Sequence, residues 1–204
     1  MSNRNALMTT LLTICLGLGA CASTNQETPA EAQGMDPEAM MAAYTEANAM
    51  NENHERMAEL VGRWEVAGKS WMAPDQPPME TTGIAEFSQI LGGRYLRQDY
   101  MSEFMGMPYQ GFAIGGYDNA RKVHVDYWFD SMGTAAYVSE GNWDAAGTTY
   151  TSQGTHLNPV TGATEGTKNV ITKESAYQFV FTMYMQMPDG SFVKSMELTY
   201  SRSK

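Results

Sequence analysis

From residue 62 to the C-terminus, turn-forming residues recur at a nearly even interval, and no other feature narrows the fold as far. Clusters stand at PDQPP (74–78), Gly92-Gly93, Gly106-Met107-Pro108, Asp118-Asn119, Ser131-Met132-Gly133, Ala145-Ala146-Gly147, Asn158 to Gly162, Glu174-Ser175 and Pro188-Asp189-Gly190. Most lie about 13 to 16 residues apart, room for one strand and one tight turn, so the spacing predicts roughly ten antiparallel strands in meander order. The intervals alternate as half-buried strands must: Tyr177, Phe179, Phe181 and Met183 against Gln178, Val180 and Thr182, and Phe192, Met196, Leu198 and Tyr200 against Ser195, Glu197 and Thr199. An open sheet of that size would leave two exposed edges, which closure removes. The expected fold is therefore mainly β: a closed antiparallel up-and-down β-barrel over residues 62–204. A β-sandwich is the alternative, but the uniformly short connections leave no room for Greek-key crossings.

Residues 36–61 carry a different period. Asp36-Pro37-Glu38 is a helix start, with a capping carboxylate, proline at the first helical position and an acid near the positive end of the dipole. Met40, Tyr44, Ala47 and Met50 follow at helical spacing, a stripe suited to core contact or, alternatively, to a partner. Asn51-Glu52-Asn53 interrupts the pattern, and His54 to Val61 reads as a second short helix that Gly62 ends.

Gly62-Arg63-Trp64, after a short helix and at the head of the first strand, resembles the lipocalin and fatty-acid-binding-protein superfamily. The resemblance implies that Trp64 closes the barrel floor beneath a basic residue from the end of the last strand, here Arg202. A guanidinium over a partly desolvated indole contributes ~1–2 kcal/mol and would tie the first strand to the last.

The N-terminus sets an address. MSNRNALMTTLLTICLGLGAC carries one basic residue, Arg4, before an apolar run too short to cross a bilayer core, which needs ~20 residues. Residues 1–20 read as a signal peptide, and Leu18-Gly19-Ala20-Cys21 resembles a bacterial lipobox with Cys21 as the lipid attachment site. An ordinary secretory signal cut near Ala20 or Ala22 is the alternative. Removing residues 1–20 also removes Cys15, leaving Cys21 alone and no internal disulfide. Residues 21–35, small and polar, form the lipidated linker. Ala22 after the cysteine resembles the Gram-negative outer-membrane sorting pattern, so the expected location is the bacterial envelope, lipid-anchored at the outer membrane and facing the periplasm. Charge agrees: 13 Lys+Arg against 23 Asp+Glu make nucleic acid and anionic membrane surfaces poor partners, leaving the lipid anchor as the membrane contact.

From His54 onward the chain resembles a bacterial family known as domain of unknown function 1579. The matching stretches are His54 to Trp64, Leu91-Gly92-Gly93-Arg94-Tyr95, Gly116-Tyr117-Asp118-Asn119, Trp128-Phe129-Asp130-Ser131, Ser139-Glu140-Gly141, Pro159-Val160-Thr161-Gly162 and Met196 to Arg202. The resemblance implies a lipocalin-like, calycin-type barrel and transfers no catalytic residues.

Familiar catalytic motifs fail on single residues. His54-Glu55-Arg56-Met57-Ala58 begins like a zinc-protease helix but has Ala58 where the second histidine belongs, and Gly68-Lys69-Ser70 has Arg63 where a phosphate loop needs its first glycine. No metal site, cofactor or catalytic set is assigned. The richest polar constellation is Lys122 to Asp130, which separates His124, Asp126, Trp128 and Asp130 from Val123, Val125, Tyr127 and Phe129. By apolarity the second set should face the interior. If the first does, its indole and carboxylates offer oriented hydrogen bonds in a wet cavity. Tyr95, Tyr117 and Tyr200 are further candidates for a ligand pocket, and Arg97 and Glu140 would join them if they point inward. The expected function is binding of a small apolar or amphipathic molecule inside the barrel. The alternatives are a structural or interaction lipoprotein without ligand, and an enzyme using His124, Asp126 and Asp130.

Overall fold

The computed structural model describes residues 36–73 and 76–203. The signal segment, Cys21 and the linker lie outside the described residues. The chain divides into two units, Met1–Ala42 and Ala43–Lys204. In the first, Asp36 caps the opening of helix α1 (Pro37–Ala47), its carboxylate accepting from the Glu38 and Ala39 amides at 3.0 and 2.9 Å. No residue of α1 is buried, so Met40, Tyr44 and Ala47 do not supply the expected core contact, and Met50 beyond it is exposed as well.

Helix α2 (Glu52–Ala58) starts two residues earlier than expected because Asn51 is its N-cap, and it ends at the C-cap Glu59, three residues before Gly62. The Asn51 side chain accepts from the Asn53 amide at 3.0 Å, and His54 Nδ1 accepts from the Asn51 amide at 3.1 Å. The interruption read from Asn51-Glu52-Asn53 is thus a capping box, with histidine where glutamate usually stands.

Ten strands follow: β1 (Gly62–Ser70), β2 (Met79–Ile90), β3 (Tyr95–Phe104), β4 (Met107–Asp118), β5 (Val123–Asp130), β6 (Tyr137–Trp143), β7 (Thr149–Leu157), β8 (Thr164–Ser175), β9 (Gln178–Gln186) and β10 (Phe192–Arg202). Each pairs antiparallel with its sequence neighbours, and β1 pairs with β10 from Trp64↔Arg202 to Ser70↔Met196, closing the barrel. The fold is the closed up-and-down barrel that the turn spacing predicts. A bulge between Lys194 and Met196 shifts the β9–β10 register near one rim.

Gly62 explains the Gly-x-Trp signature. Its φ of +130° is a conformation that side-chain-bearing residues rarely adopt, and a Cβ there would stand 2.7 Å from Arg202 Nη1. The chain can therefore leave α2, turn sharply under the arginine and enter β1 with Trp64 facing inward. Trp64 is 2% exposed, meets Phe179 edge-on at 4.8 Å, and belongs to a core with Val66, Phe87, Phe179, Leu198 and Tyr200. Phe179 and Tyr200 stack at 4.3 Å. This aromatic layer fills the α2 end of the barrel.

Candidate functional site

Above that layer the barrel is hollow, with a cavity of about 630 Å³, within the range of roughly 300–1,000 Å³ typical of small-molecule sites. One wall is apolar: Leu96 from β3, Phe181 and Met183 from β9, and Met196 and Leu198 from β10. The other carries Asp126, Trp128 and Asp130 from β5, Ser139 from β6, Tyr150 and Ser152 from β7, and Asn169 from β8. Met132, exposed in the β5–β6 turn, also lines the cavity and marks the open end.

The apolarity rule inverts on β5. His124, Asp126, Trp128 and Asp130 face the interior, whereas Val123, Val125, Tyr127 and Phe129 face outward, contrary to the default expectation. Two local features account for it. On the outside, Phe129 stacks on its partner Phe112 at 4.8 Å, with the Arg97 guanidinium 5.4 Å from the Phe112 ring, so much of the outer apolar surface is covered by neighbours. On the inside, β4 presents Gly111, Ala113 and Gly115 to the β5 side chains. A Cβ at Gly111 would stand 2.4 Å from the Trp128 ring and one at Gly115 2.6 Å from Asp126 Oδ1. The missing side chains of β4 make the room that the large inward residues of β5 occupy.

The two carboxylates are held differently. Asp130 is engaged through both oxygens: Oδ2 accepts from the Trp128 indole at 3.0 Å, and Oδ1 accepts from the Met132 and Gly133 amides at 2.9 and 3.1 Å. It pins the indole to the β5–β6 turn. Asp126 lies deeper, and its Oδ2 accepts a 2.5 Å hydrogen bond from the Tyr150 hydroxyl. Burial pushes its carboxyl up to about 6, against the downward pull of that bond, and burial together with the carboxylate raises the Tyr150 phenol. The polar strip continues through Ser139 and Ser152, 3.2 Å apart, to the Asn169 amide nitrogen, 3.5 and 3.4 Å from the two hydroxyls. Among the described residues none gives the buried Asn169 amide oxygen a hydrogen bond.

His124 belongs to the floor. It is 3% exposed, wedged between the rings of Tyr117 at 4.8 Å and Tyr150 at 5.6 Å, and Tyr117 in turn meets His54 edge-on at 6.1 Å. Asn142 and the backbones of Asn53 and Gly141 lie near its ring, but none in hydrogen-bond geometry. Burial lowers the pKa values of both His124 and His54, favouring neutral imidazoles. The floor is closed by Arg202, whose guanidinium carbon lies 4.3 Å from the centre of the Trp64 ring while its nitrogens donate to the Val61, Glu59 and Ala176 carbonyls at 2.7, 2.9 and 3.3 Å. Trp64 Nε1 donates to the Leu60 carbonyl at 2.8 Å.

The remaining sequence candidates separate. Tyr200 lines the cavity, its hydroxyl accepting from Gln98 Nε2 at 3.2 Å, and burial raises its pKa. Arg97 and Glu140 do not point inward: Arg97 pairs with Asp99 at 2.6 Å and Glu140 with Arg121, both on the outer surface. Charged strand residues keep their hydration there. Tyr95 also lies outside, its ring over Gly116, where a Cβ would meet it at 2.5 Å. Tyr117 packs in the floor instead of the cavity wall. Ser139, Ser152 and Asn169 escaped sequence reasoning because isolated small polar residues on strands look like solvated positions, and Tyr150 because a lone tyrosine on a strand looks like ordinary core. The readable signal was the alternate-residue run Gly111-Ala113-Gly115, small residues that imply a bulky inward neighbour.

Comparison with known proteins agrees with this architecture. The crystal structure of Rv2717c from M. tuberculosis superposes with a TM-score of 0.56 at 13% identity, covering 76% of this chain and 100% of that one. The S-type phycobiliprotein lyase CPES from Guillardia theta superposes with a TM-score of 0.52 at 12% identity, covering 78% and 97%. At such identities these similarities establish the barrel fold alone. No curated protein matches the sequence. The family model described as Protein of unknown function (DUF1579) matches residues 49–202, from the cap of α2 to the arginine over Trp64, and the chain belongs to that family.

Proposed function

We propose that this protein is a lipid-anchored envelope protein, attached through Cys21, that binds a small, mostly apolar molecule inside its barrel. The observation that carries the binding reading is the cavity of about 630 Å³, with an apolar wall facing a short polar strip. Such a combination holds an apolar body by burial and orients it by a few hydrogen bonds. A structural role without ligand would be better served by a barrel packed solid to its rim, as it is around Trp64. Enzyme chemistry by His124, Asp126 and Asp130 has weaker support, because His124 is wedged into the floor and both Asp130 oxygens are engaged by the indole and the turn amides.

Native mass spectrometry of the protein purified from its own host is the direct test. The expected result is a species heavier than the processed chain by one small molecule, released on unfolding. A uniformly empty protein that also takes up no apolar probe would remove the binding reading. For the anchor, Cys21→Ala is expected to shift the protein from the membrane fraction to the soluble fraction and to change its processed mass. Unchanged fractionation and mass would refute the attachment.

A further inference from the structure

The cavity has an unusual electrostatic composition for a site expected to take an apolar ligand. Among the described residues that line it are two carboxylates, Asp126 and Asp130, no lysine or arginine, and one histidine, His156, whose Nε2 lies 3.4 Å from a Glu165 carboxylate oxygen. Nearby cations are engaged elsewhere: Lys173 reaches Glu59 at 2.7 Å and lies over the Trp143 ring, and Arg202 is bound to backbone carbonyls beneath Trp64. A ligand carrying a carboxylate or phosphate would enter a partly desolvated chamber with two carboxylates and, among the described residues, no lysine or arginine on its wall.

The polar strip is also unbalanced in hydrogen-bonding capacity. Asp130 has both oxygens occupied, but Asp126 uses one, Oδ2, for the Tyr150 hydroxyl, and no donor among the described residues reaches Oδ1. On the same strip no donor among the described residues reaches the Asn169 amide oxygen. Hydroxyls line other parts of the cavity, but at Asp126 and Asn169 acceptor capacity exceeds the donors supplied, and a positively charged donor would meet it best. Aromatic faces adjoin the carboxylate: Tyr150 is bonded to it, and Trp128 is two residues along the same strand face, with Tyr100 tilted against it at 6.3 Å. Such faces stabilise a cation brought out of water.

We propose, resting on the binding reading above, that the ligand is a cationic amphiphile: an apolar body seated against the Phe181–Met183–Met196 wall, with a protonated amine hydrogen-bonded to Asp126. Fatty acids and other anionic amphiphiles are disfavoured by the same geometry. Asp126 is a binding residue in this assignment and Tyr150 a positioning residue that orients the carboxylate through Oδ2.

The full chain at pH 7.5 is titrated with dodecylamine, dodecanol and dodecanoic acid, which share one tail and differ in head group, with calorimetry and tryptophan fluorescence as readouts. The expected order is amine, alcohol, acid, with the amine at least about tenfold tighter than the acid. In Asp126→Asn, which keeps an acceptor for Tyr150, the ratio of amine to alcohol affinity should collapse to about one. Acid binding as tight as amine binding, or an undiminished ratio in Asp126→Asn, overturns the assignment. Alcohol binding without amine preference in the native chain overturns the head-group assignment and leaves the apolar-binder reading standing, whereas failure of all three probes overturns both. The native ranking needs no variant, so a folding defect in Asp126→Asn does not rescue the proposal.

Discussion

The two sectors of the barrel wall are built on opposite principles. Strands β9, β10, β1, β2 and β3 turn Phe179, Tyr200, Trp64, Phe87 and Leu96 inward and pack them into a continuous core. Strands β4 to β8 turn glycine, serine, asparagine and aspartate inward among a few large rings such as Trp128 and Tyr150, and hold the cavity between them and the opposite wall. The first sector stabilises the fold; the second gives up that stabilisation for room and for hydrogen-bonding groups. The contrast shows where selection for a ligand can act without unfolding the protein.

The largest expected effect comes from erasing the packed sector. Trp64→Ala removes an indole that is 2% exposed, meets Phe179 and lies under Arg202, and should lower unfolding stability by about 3–5 kcal/mol in chemical denaturation. Trp128→Ala, a truncation of the same size in the half-buried wall of the cavity, should cost less than half as much while changing ligand affinity. Equal losses at the two tryptophans would erase the distinction between the sectors.

Next in size is the cost of the hollow sector itself. Burial raises the Asp126 carboxyl to about 6 from an ordinary 3.8. The folded protein then binds this proton more readily than the unfolded chain, so the group favours the fold below about pH 4 and penalises it increasingly as pH rises through 6. The full penalty above that pH is on the order of 3 kcal/mol. Asp126→Asn should therefore be more stable than the native chain at pH 7.5 and lose that advantage near pH 4, as followed by urea unfolding across the range. A variant less stable at pH 7.5 than at pH 4, relative to the native chain, would contradict the sign.

Smaller still is the floor clasp. Arg202→Ala should cost about 1–2 kcal/mol and change Trp64 emission, because it removes the cation from the indole face and leaves the carbonyls of Glu59 and Val61 to water. Removing Arg97, which is paired with Asp99 on the outside, should alter neither stability nor ligand affinity measurably.

What the sequence disclosed follows the same division. The barrel was legible because turns every strand length, alternation on the last two strands and the Gly62-Arg63-Trp64 signature all depend on local chemistry. The Trp64↔Arg202 pairing was anticipated through the resemblance of Gly62-Arg63-Trp64 to the lipocalin and fatty-acid-binding-protein superfamily, and the closed register of β1 with β10 carries it. The cavity was harder to read because its facing is decided between strands. Phe129 lies outside since Phe112 is there to cover it, and Asp126 lies inside since Gly115 leaves it space. Neither neighbour is visible in the nine residues of Lys122 to Asp130 taken alone. The facing of Arg97 and Glu140 stayed open for the same reason, their partners being Asp99 two residues along the same strand and Arg121 in the β4–β5 turn.

The most direct measurement is titration of the purified chain with the neutral fluorophore N-phenyl-1-naphthylamine, in parallel with Ala113→Phe, which places a ring from β4 into the cavity. An open, ligand-accepting sector predicts saturable binding of one probe per chain, with energy transfer from tryptophan, and a loss of affinity of about tenfold or more in the filled variant. No saturable binding to the native chain, or equal binding to both proteins, would contradict it.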